Sequence, residues 1–366
     1  SAASSDYPLR DVYKRQTMHK KPFAFTPTLA AALLALAGAP AAAQSSVSLT
    51  GIADAAARSV SNTGRGSVKS LVSGSNSTSR LVLRGTEDLG GGLSASFHLE
   101  HGIALDTGLP TGGFWDRRAT VSLAGKSLGE LRLGRDFVPS YVGWSRFDVF
   151  SYVGVAGSNN LVSATPQGPI RAAFGSNPNT TVRASNAVQL FLPGGLGGFE
   201  GHALVAAGEG SAATDHKVTG LRLGWAGKPV ALSVAHTVSE NGATAGGGKF
   251  KDTAIGGSWD AGFARFNLAW RRFERAGAEQ VNLLLSGSTR FGPHELKAQL
   301  VRADLSGRVG AVAIDANDAQ QLGLGYVYTL SRRSVLYASA SRIRNDGEAT
   351  FVVPGGPAGM AGGGTS

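Results

Sequence analysis

The feature that most constrains this chain is a repeated segment of about ten residues in which apolar and polar side chains alternate. Each copy is closed by Gly, Pro, Asn or Asp. Alternation at period two is a strand signal, because successive side chains of a strand point to opposite faces. In QQLGLGYVYTL, residues Leu322, Leu324, Tyr326, Tyr328 and Leu330 share one face. In FARFNLAWRRF, Phe266, Leu268 and Trp270 form an apolar face opposite Arg265, Asn267 and Arg271. Leu221, Leu223 and Trp225 likewise oppose Arg222, and Leu296, Ala298 and Leu300 oppose Lys297 and Gln299. An apolar side set in lipid and a polar side turned to a wet lumen account for both faces at once, as in a transmembrane antiparallel β-barrel. No stretch after residue 43 approaches the ~20 consecutive apolar residues that a spanning helix needs.

The connections alternate as well. Very short ones at Gly125-Lys126-Ser127, Ala226-Gly227-Lys228-Pro229, Gly292-Pro293 and Ser331 are interleaved with longer polar ones near 59–78, 104–113, 239–249 and 304–318. Short turns on the periplasmic side and long loops outside are the habit of outer-membrane barrels. One connection, about 137–182, is punctuated by Pro and Gly and has almost no strand pattern. A loop of that length in a compact protein is usually functional, and the lumen is the natural place for it. Strand segments fall near 47–58, 79–89, 92–103, 114–125, 128–136, 184–193, 198–208, 217–226, 229–239, 250–260, 262–274, 280–291, 294–304, 319–330 and 333–344. Bacterial single-chain barrels have an even number of strands, and a barrel in lipid must close to satisfy its backbone groups. The expectation is therefore sixteen strands with the last one missing from this chain.

From Met18 the sequence has a basic start at Lys20 and Lys21, an apolar stretch and Ala41-Ala42-Ala43 before Gln44. This reads as a secretory signal peptide over 18–43, too short in its apolar part to span. Residues 1–17 precede a credible start and read as an extraneous leader; the barrel takes 44–366. The formal charge of +10 raises the question of nucleic acid. The basic residues are spread singly along strand-like segments, so no nucleic-acid partner is expected. The chain has no cysteine, which removes disulfides and Cys-based metal or redox sites. Its histidines are scattered without HExxH, and no G-x-S-x-G is present. No enzyme activity, cofactor or metal site is expected. The glycines of GTEDLGGGL lack the following Lys-Ser/Thr of a phosphate loop and read as a turn.

SSVSLTGIADA (45–55), SRLVLRGTEDLGGGLSASFHLE (79–100), RRATVSLAGKSLGELRLGRD (117–136) and LGLGYVYTLSRRSVLYASAS (322–341) closely resemble the Gram-negative general porins of the β-proteobacterial type, and most of all their anion-preferring branch. The likeness covers nearly all of 44–345. It implies a sixteen-stranded barrel in the outer membrane, a homotrimer, and a third outer loop folded inward to narrow the pore. It also implies a ladder of arginines on the pore wall facing that loop, at Arg80, Arg117 and Arg183 by motif position, with Glu100 and Asp148 as the acidic residues of the opposing edge. The resemblance departs at the family's terminal aromatic strand, which this chain lacks, and over 153–182.

The residues themselves bear on these positions. Arg80 and Arg84 share a face opposite Leu81 and Leu83. An arginine on the lipid side costs ~2–4 kcal/mol at mid-depth, so their face is the lumen. Arg84 either adds to the pore potential or pairs with Glu87 or Asp88 near the turn. Of Arg117 and Arg118, parity against Val121 and Leu123 selects Arg118 for the lumen, whereas the resemblance selects Arg117; a β-bulge, or a subunit interface on the outer wall that tolerates a polar side chain, would reconcile them. Asp136 joins Glu100 and Asp148 as a candidate opposite the arginines, each able instead to hold the loop. Trp225, Trp259, Trp270, Tyr326 and Tyr328 suit interfacial girdles. The function these readings favour is passive diffusion of small hydrophilic solutes, anions preferred. A substrate-specific channel for phosphate or organic acids, a non-conducting adhesin or anchor, and a soluble secreted β-protein are the alternatives.

Overall fold

In a computed structural model, which describes residues 46–162, 168–175, 178–208, 216–240 and 248–357, the alternation becomes a wall. The strands are β1 Ser46–Ile52, β2 Ala55–Asn62, β3 Gly66–Ser73, β4 Arg80–Gly90, β5 Leu93–Ala104, β6 Leu109–Pro110, β7 Arg118–Gly125, β8 Gly129–Phe137, β9 Arg183–Phe191 and β10 Phe199–Ala206. They continue as β11 Val218–Ala226, β12 Val230–Glu240, β13 Lys249–Asp260, β14 Arg265–Arg275, β15 Ala278–Phe291, β16 His294–Val309, β17 Val312–Ala313, β18 Ala319–Thr329 and β19 Val335–Asn345. Fifteen of these form an antiparallel meander in which each long strand pairs with the next, from β1–β4 through to β18–β19. They coincide with the fifteen segments expected from alternation. The two-residue strands β6 and β17 fold back onto β5 and β16.

The usual burial rule is inverted across this wall. Leu268 is 56% exposed while its neighbours Asn267 and Arg271 on the other face are buried, and Val121 and Leu123 are exposed while Thr120 is buried. A soluble sheet would bury its leucines; apolar residues outside and polar ones inside is the arrangement that lipid requires. Trp259 stacks on Phe266, and His294 packs with Phe291, Tyr326 and Tyr328 beside the Gly292 turn, so the aromatics gather where the strands meet the short turns.

Two connections differ from expectation. Residues 59–78 are largely a hairpin, β2 on β3, rather than an open loop. The first segment, read as one strand over 47–58, breaks after β1, where the Asp54 carboxylate accepts the Asn76 and Ser77 backbone N–H groups at 2.8 and 2.7 Å and turns the chain out of the sheet. The signal-peptide and leader readings lie outside the described residues.

The connection between β8 and β9 holds two short helices, α1 Pro139–Ser145 and α2 Pro169–Phe174. It lies against the inner face of β11–β19. Trp144, Phe147 and Leu161 are sealed against Ala254, Ala269, Leu284 and Val301 of the wall. A Cβ on Gly256 would meet the Phe147 ring at 2.5 Å and one on Gly325 the Phe150 ring at 2.6 Å, so the missing side chains make room for the loop. Lumen amides supply its backbone with donors: Gln280 Nε2 to the Leu161 carbonyl at 2.7 Å, Gln299 Nε2 to Ala156 at 3.2 Å and Gln321 Nε2 to Val155 at 3.0 Å. An irregular segment inside a membrane barrel carries many orphan backbone groups, and the polar inner wall answers them.

Candidate functional site

The loop packs against β11–β19 and, where it starts, against Ala184 and Ala187 of β9 and Leu204 of β10, while the basic side chains at the starts of β4, β7 and β9 face it. Between them lies a cavity of about 450 Å³ lined by Arg80, Glu100, Arg117 and Arg183 on the wall side and by Tyr141, Tyr152 and Asn159 on the loop side. Three of the arginines expected from the sequence are therefore brought together.

Register explains each position. Arg80 opens β4, and its partner in β5 is Gly102, which puts it one ladder step from Glu100. Arg117 lies just before β7, where no pleat fixes its direction; its Nε donates to Glu100 Oε1 at 2.6 Å. Arg80 Nε is 3.6 Å from the same carboxylate oxygen. Arg183 opens β9, donates from Nε to the Arg117 carbonyl at 2.6 Å and lies over the Phe137 ring at 4.6 Å. The question of Arg117 against Arg118 resolves without a bulge in β7. Arg118 obeys strand parity, pairs across from Glu100 and faces inward, but its charge is answered by Asp136 at 3.5 Å and its Nε donates to Thr120 Oγ1. Arg132 also reaches Asp136, at 2.7 Å, and Glu130 at 2.8 Å. Arg84 is exposed, and among the described residues no ion pair joins it to Glu87 or Asp88.

The two acids expected on the opposing edge sit elsewhere. Glu100 is on the same wall as the arginines and lies among them. Asp148 is buried in the loop, where it accepts from the Ser158 N–H at 2.8 Å, from Ser158 Oγ at 2.6 Å and from the Phe150 N–H at 2.8 Å. A carboxylate so engaged holds the loop's shape and does not face the cavity. Burial still pushes the Asp148 carboxyl above the usual carboxylate range, those hydrogen bonds offsetting part of the effect. The loop edge is instead aromatic. Burial raises the Tyr141 and Tyr152 phenols, which keeps both neutral. Across the cavity three guanidinium groups thus meet one carboxylate and uncharged tyrosines, an excess of positive charge that attracts anions. Among the described residues no group of three or more His, Asp and Glu side chains is placed to hold a metal ion.

Sequence reasoning missed the tyrosines and a buried pair, Asp252 and Arg271. Parity had placed Arg271 on the lumen face, but only the loop's path shows what it meets. Arg271 Nη2 donates to Asp252 Oδ2 at 2.7 Å and to the Thr181 carbonyl at 3.1 Å, and Ser140 Oγ donates to Asp252 at 2.7 Å.

A family model described as Gram-negative porin matches residues 29–348. The chain is a Gram-negative porin. Its wall, inward loop and charged cavity are those of an outer-membrane diffusion channel, and porins are channels rather than enzymes. The porin is 35% identical to outer membrane porin protein 32 of Delftia acidovorans over 291 residues, 75% of this chain and 77% of the relative. It is 28% identical to an outer membrane porin protein of Bordetella pertussis, over 75% of this chain and 79% of the relative. Among solved structures it resembles the anion-selective porin from Comamonas acidovorans with a TM-score of 0.74 and 31% identity, covering 88% of this chain and 98% of the other. The Vibrio cholerae porin OmpT lacking loop L8 shares the fold, with a TM-score of 0.61 at 14% identity.

Proposed function

We propose that this porin passes small hydrophilic solutes with a preference for anions, and that Arg80, Arg117 and Arg183 form the selectivity element. The observation that carries the reading is the cluster of three guanidinium groups around a single carboxylate, facing a neutral loop across the narrow cavity. A basic wall in a confined, low-dielectric setting raises the local anion concentration, and weak, shared contacts let an ion leave as readily as it enters. The likeness to an anion-selective porin points the same way. Glu100 tempers the cluster, Arg118 is held by Asp136, and Arg84 adds positive charge nearer the short-turn side. Asp148 acts through the loop.

One further strand closes the barrel in this reading. Fourteen antiparallel pairings leave β1 and β19 running in the same direction at the two edges, so one more antiparallel strand fits between them. The barrel assembles as a homotrimer, with residues 18–43 acting as the export signal. Support for assembly is the family likeness that the sequence motifs carry. Mass measurement in mild detergent tests it; a single-chain mass would remove the trimer while leaving the channel reading intact.

The test of function is reversal potential in a KCl gradient across a planar bilayer, for wild type and Arg80→Ala. A potential of the sign set by chloride, reduced in the variant, is expected. Stable insertion without conductance would replace the channel by an anchor or adhesin.

A further inference from the structure

We propose that the constriction favours aromatic carboxylates over saturated carboxylates of equal charge and similar size. This rests on the anion-porin reading above and names the solute class for the same site.

The observation is a second ladder. Phe137 and Tyr141 have ring centroids 4.9 Å apart, tilted by 30°, and Tyr141 meets Tyr152 edge-on at 5.3 Å. All three rings line the cavity that holds Arg80, Arg117 and Arg183, and none is fully buried. Phe137 ends β8 on the wall, where Arg183 covers its ring, so Tyr141 and Tyr152 are the π-surfaces that the loop turns toward the guanidinium groups.

The ladder is also held rigidly. Tyr141 lies one residue after Ser140, whose hydroxyl is bonded to the buried Asp252. Ser151 and Tyr152 take the left-handed backbone region, φ 55° and 65°, which residues with side chains enter only under restraint from their surroundings. That turn presents Tyr152 to the cavity. Arg183 stacked on Phe137 joins the two ladders into one surface.

A planar carboxylate satisfies both sides at once. Its oxygens bond a guanidinium fork, while its ring meets Tyr141 and Tyr152 in the offset and edge-on arrangements that aromatic pairs prefer. A saturated ring carries the same charge but has no π-face to match. The contacts remain few and partly hydrated, so the effect is faster passage rather than retention.

The experiment uses the full-length porin in planar bilayers under bi-ionic conditions, with benzoate on one side and cyclohexanecarboxylate on the other. Wild type should pass benzoate about two- to tenfold more readily, the range that one or two weak aromatic contacts give. In Tyr141→Leu the ratio should fall toward one, and in Tyr141→Phe, which keeps the ring, it should persist. The chair of cyclohexanecarboxylate is thicker than the planar benzoate ring, so width is controlled with hexanoate, a slimmer saturated acid that should still pass less readily than benzoate in wild type and in Tyr141→Phe. A wild-type ratio near one, or a ratio unchanged in both Tyr141→Leu and Tyr152→Leu, overturns the proposal while leaving chloride preference standing. Loss of chloride preference in wild type itself would instead remove the reading on which the proposal rests.

Discussion

Asp252 on β13 and Arg271 on β14 form an ion pair shut away from water, joined at 2.9 and 2.7 Å, and between them they bind both ends of the inward loop. Asp252 takes the hydroxyl of Ser140 at the loop's start; Arg271 gives a hydrogen bond to Thr181 at its end. Removing one partner of such a pair strands a buried charge and costs about 3–5 kcal/mol. The loop should yield before the barrel does, because the strands retain their ladders. Arg271→Ala is therefore expected to open residues 137–182 to protease and to make single-channel currents larger and noisier, with little loss of membrane insertion. A loop as resistant as wild type's would show that the pair is not what holds it.

Glu100 is the single carboxylate among the three clustered arginines, so Glu100→Gln should sharpen whatever the cluster does. A unit charge a few ångströms from an ion is worth about 1 kcal/mol even in water. The chloride-to-potassium permeability ratio should thus rise about fivefold at low salt and by less at 1 M, where screening is tight. A ratio that stays level or drops would mean that permeating ions do not sense this carboxylate.

Acid should tighten the loop at Asp148. Burial raises this carboxyl, so the folded loop binds a proton more strongly than the unfolded chain does. The resulting stabilisation is full below the ordinary carboxylate range and is lost as pH climbs through the folded value. Amide exchange over 149–161, corrected for its intrinsic pH dependence, should slow between pH 7 and pH 4. In Asp148→Asn that slope should vanish; a slope of the opposite sign in wild type would contradict the assignment.

How much of this was legible beforehand depends on which solvent wrote the pattern. Lipid on one side and water on the other force the alternation of Leu221-Arg222-Leu223 and Phe266-Asn267-Leu268, and every strand facing lipid could be placed from it. The β2–β3 hairpin was read as a loop from residue 59 onward, and Ala55–Arg58 as the end of the first strand, because SVSN and GSVKS are largely polar on both faces and lack the two-sided signature. The arginine cluster was legible by motif position, and Arg80 by parity as well. Arg117 escaped parity because it precedes its strand. Glu100 was set on the opposing edge by motif position, although its place on β5 puts it on the arginine wall. Asp148 lies in the loop as expected but points into it, since residues 137–182 have irregular backbone and no period from which a direction can be inferred. What the loop faces with is decided by its packing on Ala254, Ala269 and Leu284, a long-range matter.

Gly134 offers a last test, of the wall itself. It adopts φ 122° on β8 beside a register shift between Gly134 and Asp136 in the pairing with β9. A Cβ there would lie 2.1 Å from the Ala119 carbonyl oxygen, in the backbone of β7, which cannot move without breaking its ladder. The bulge also sets the phase that brings Asp136 to Arg118 and Arg132. Gly64 is the control: its φ of 73° is also positive, nearer the left-handed well, and a Cβ there would meet nothing within 4 Å. Gly64→Ala should lower stability by about 1 kcal/mol, the price of the backbone region alone. Gly134→Ala should add the collision to that strain and reduce the yield of heat-modifiable, folded barrel on refolding into detergent. Where it does fold, it should also release Arg118 and raise anion preference. Equal behaviour of the two variants would mean that β7 and β8 can separate at Ala119 at no cost.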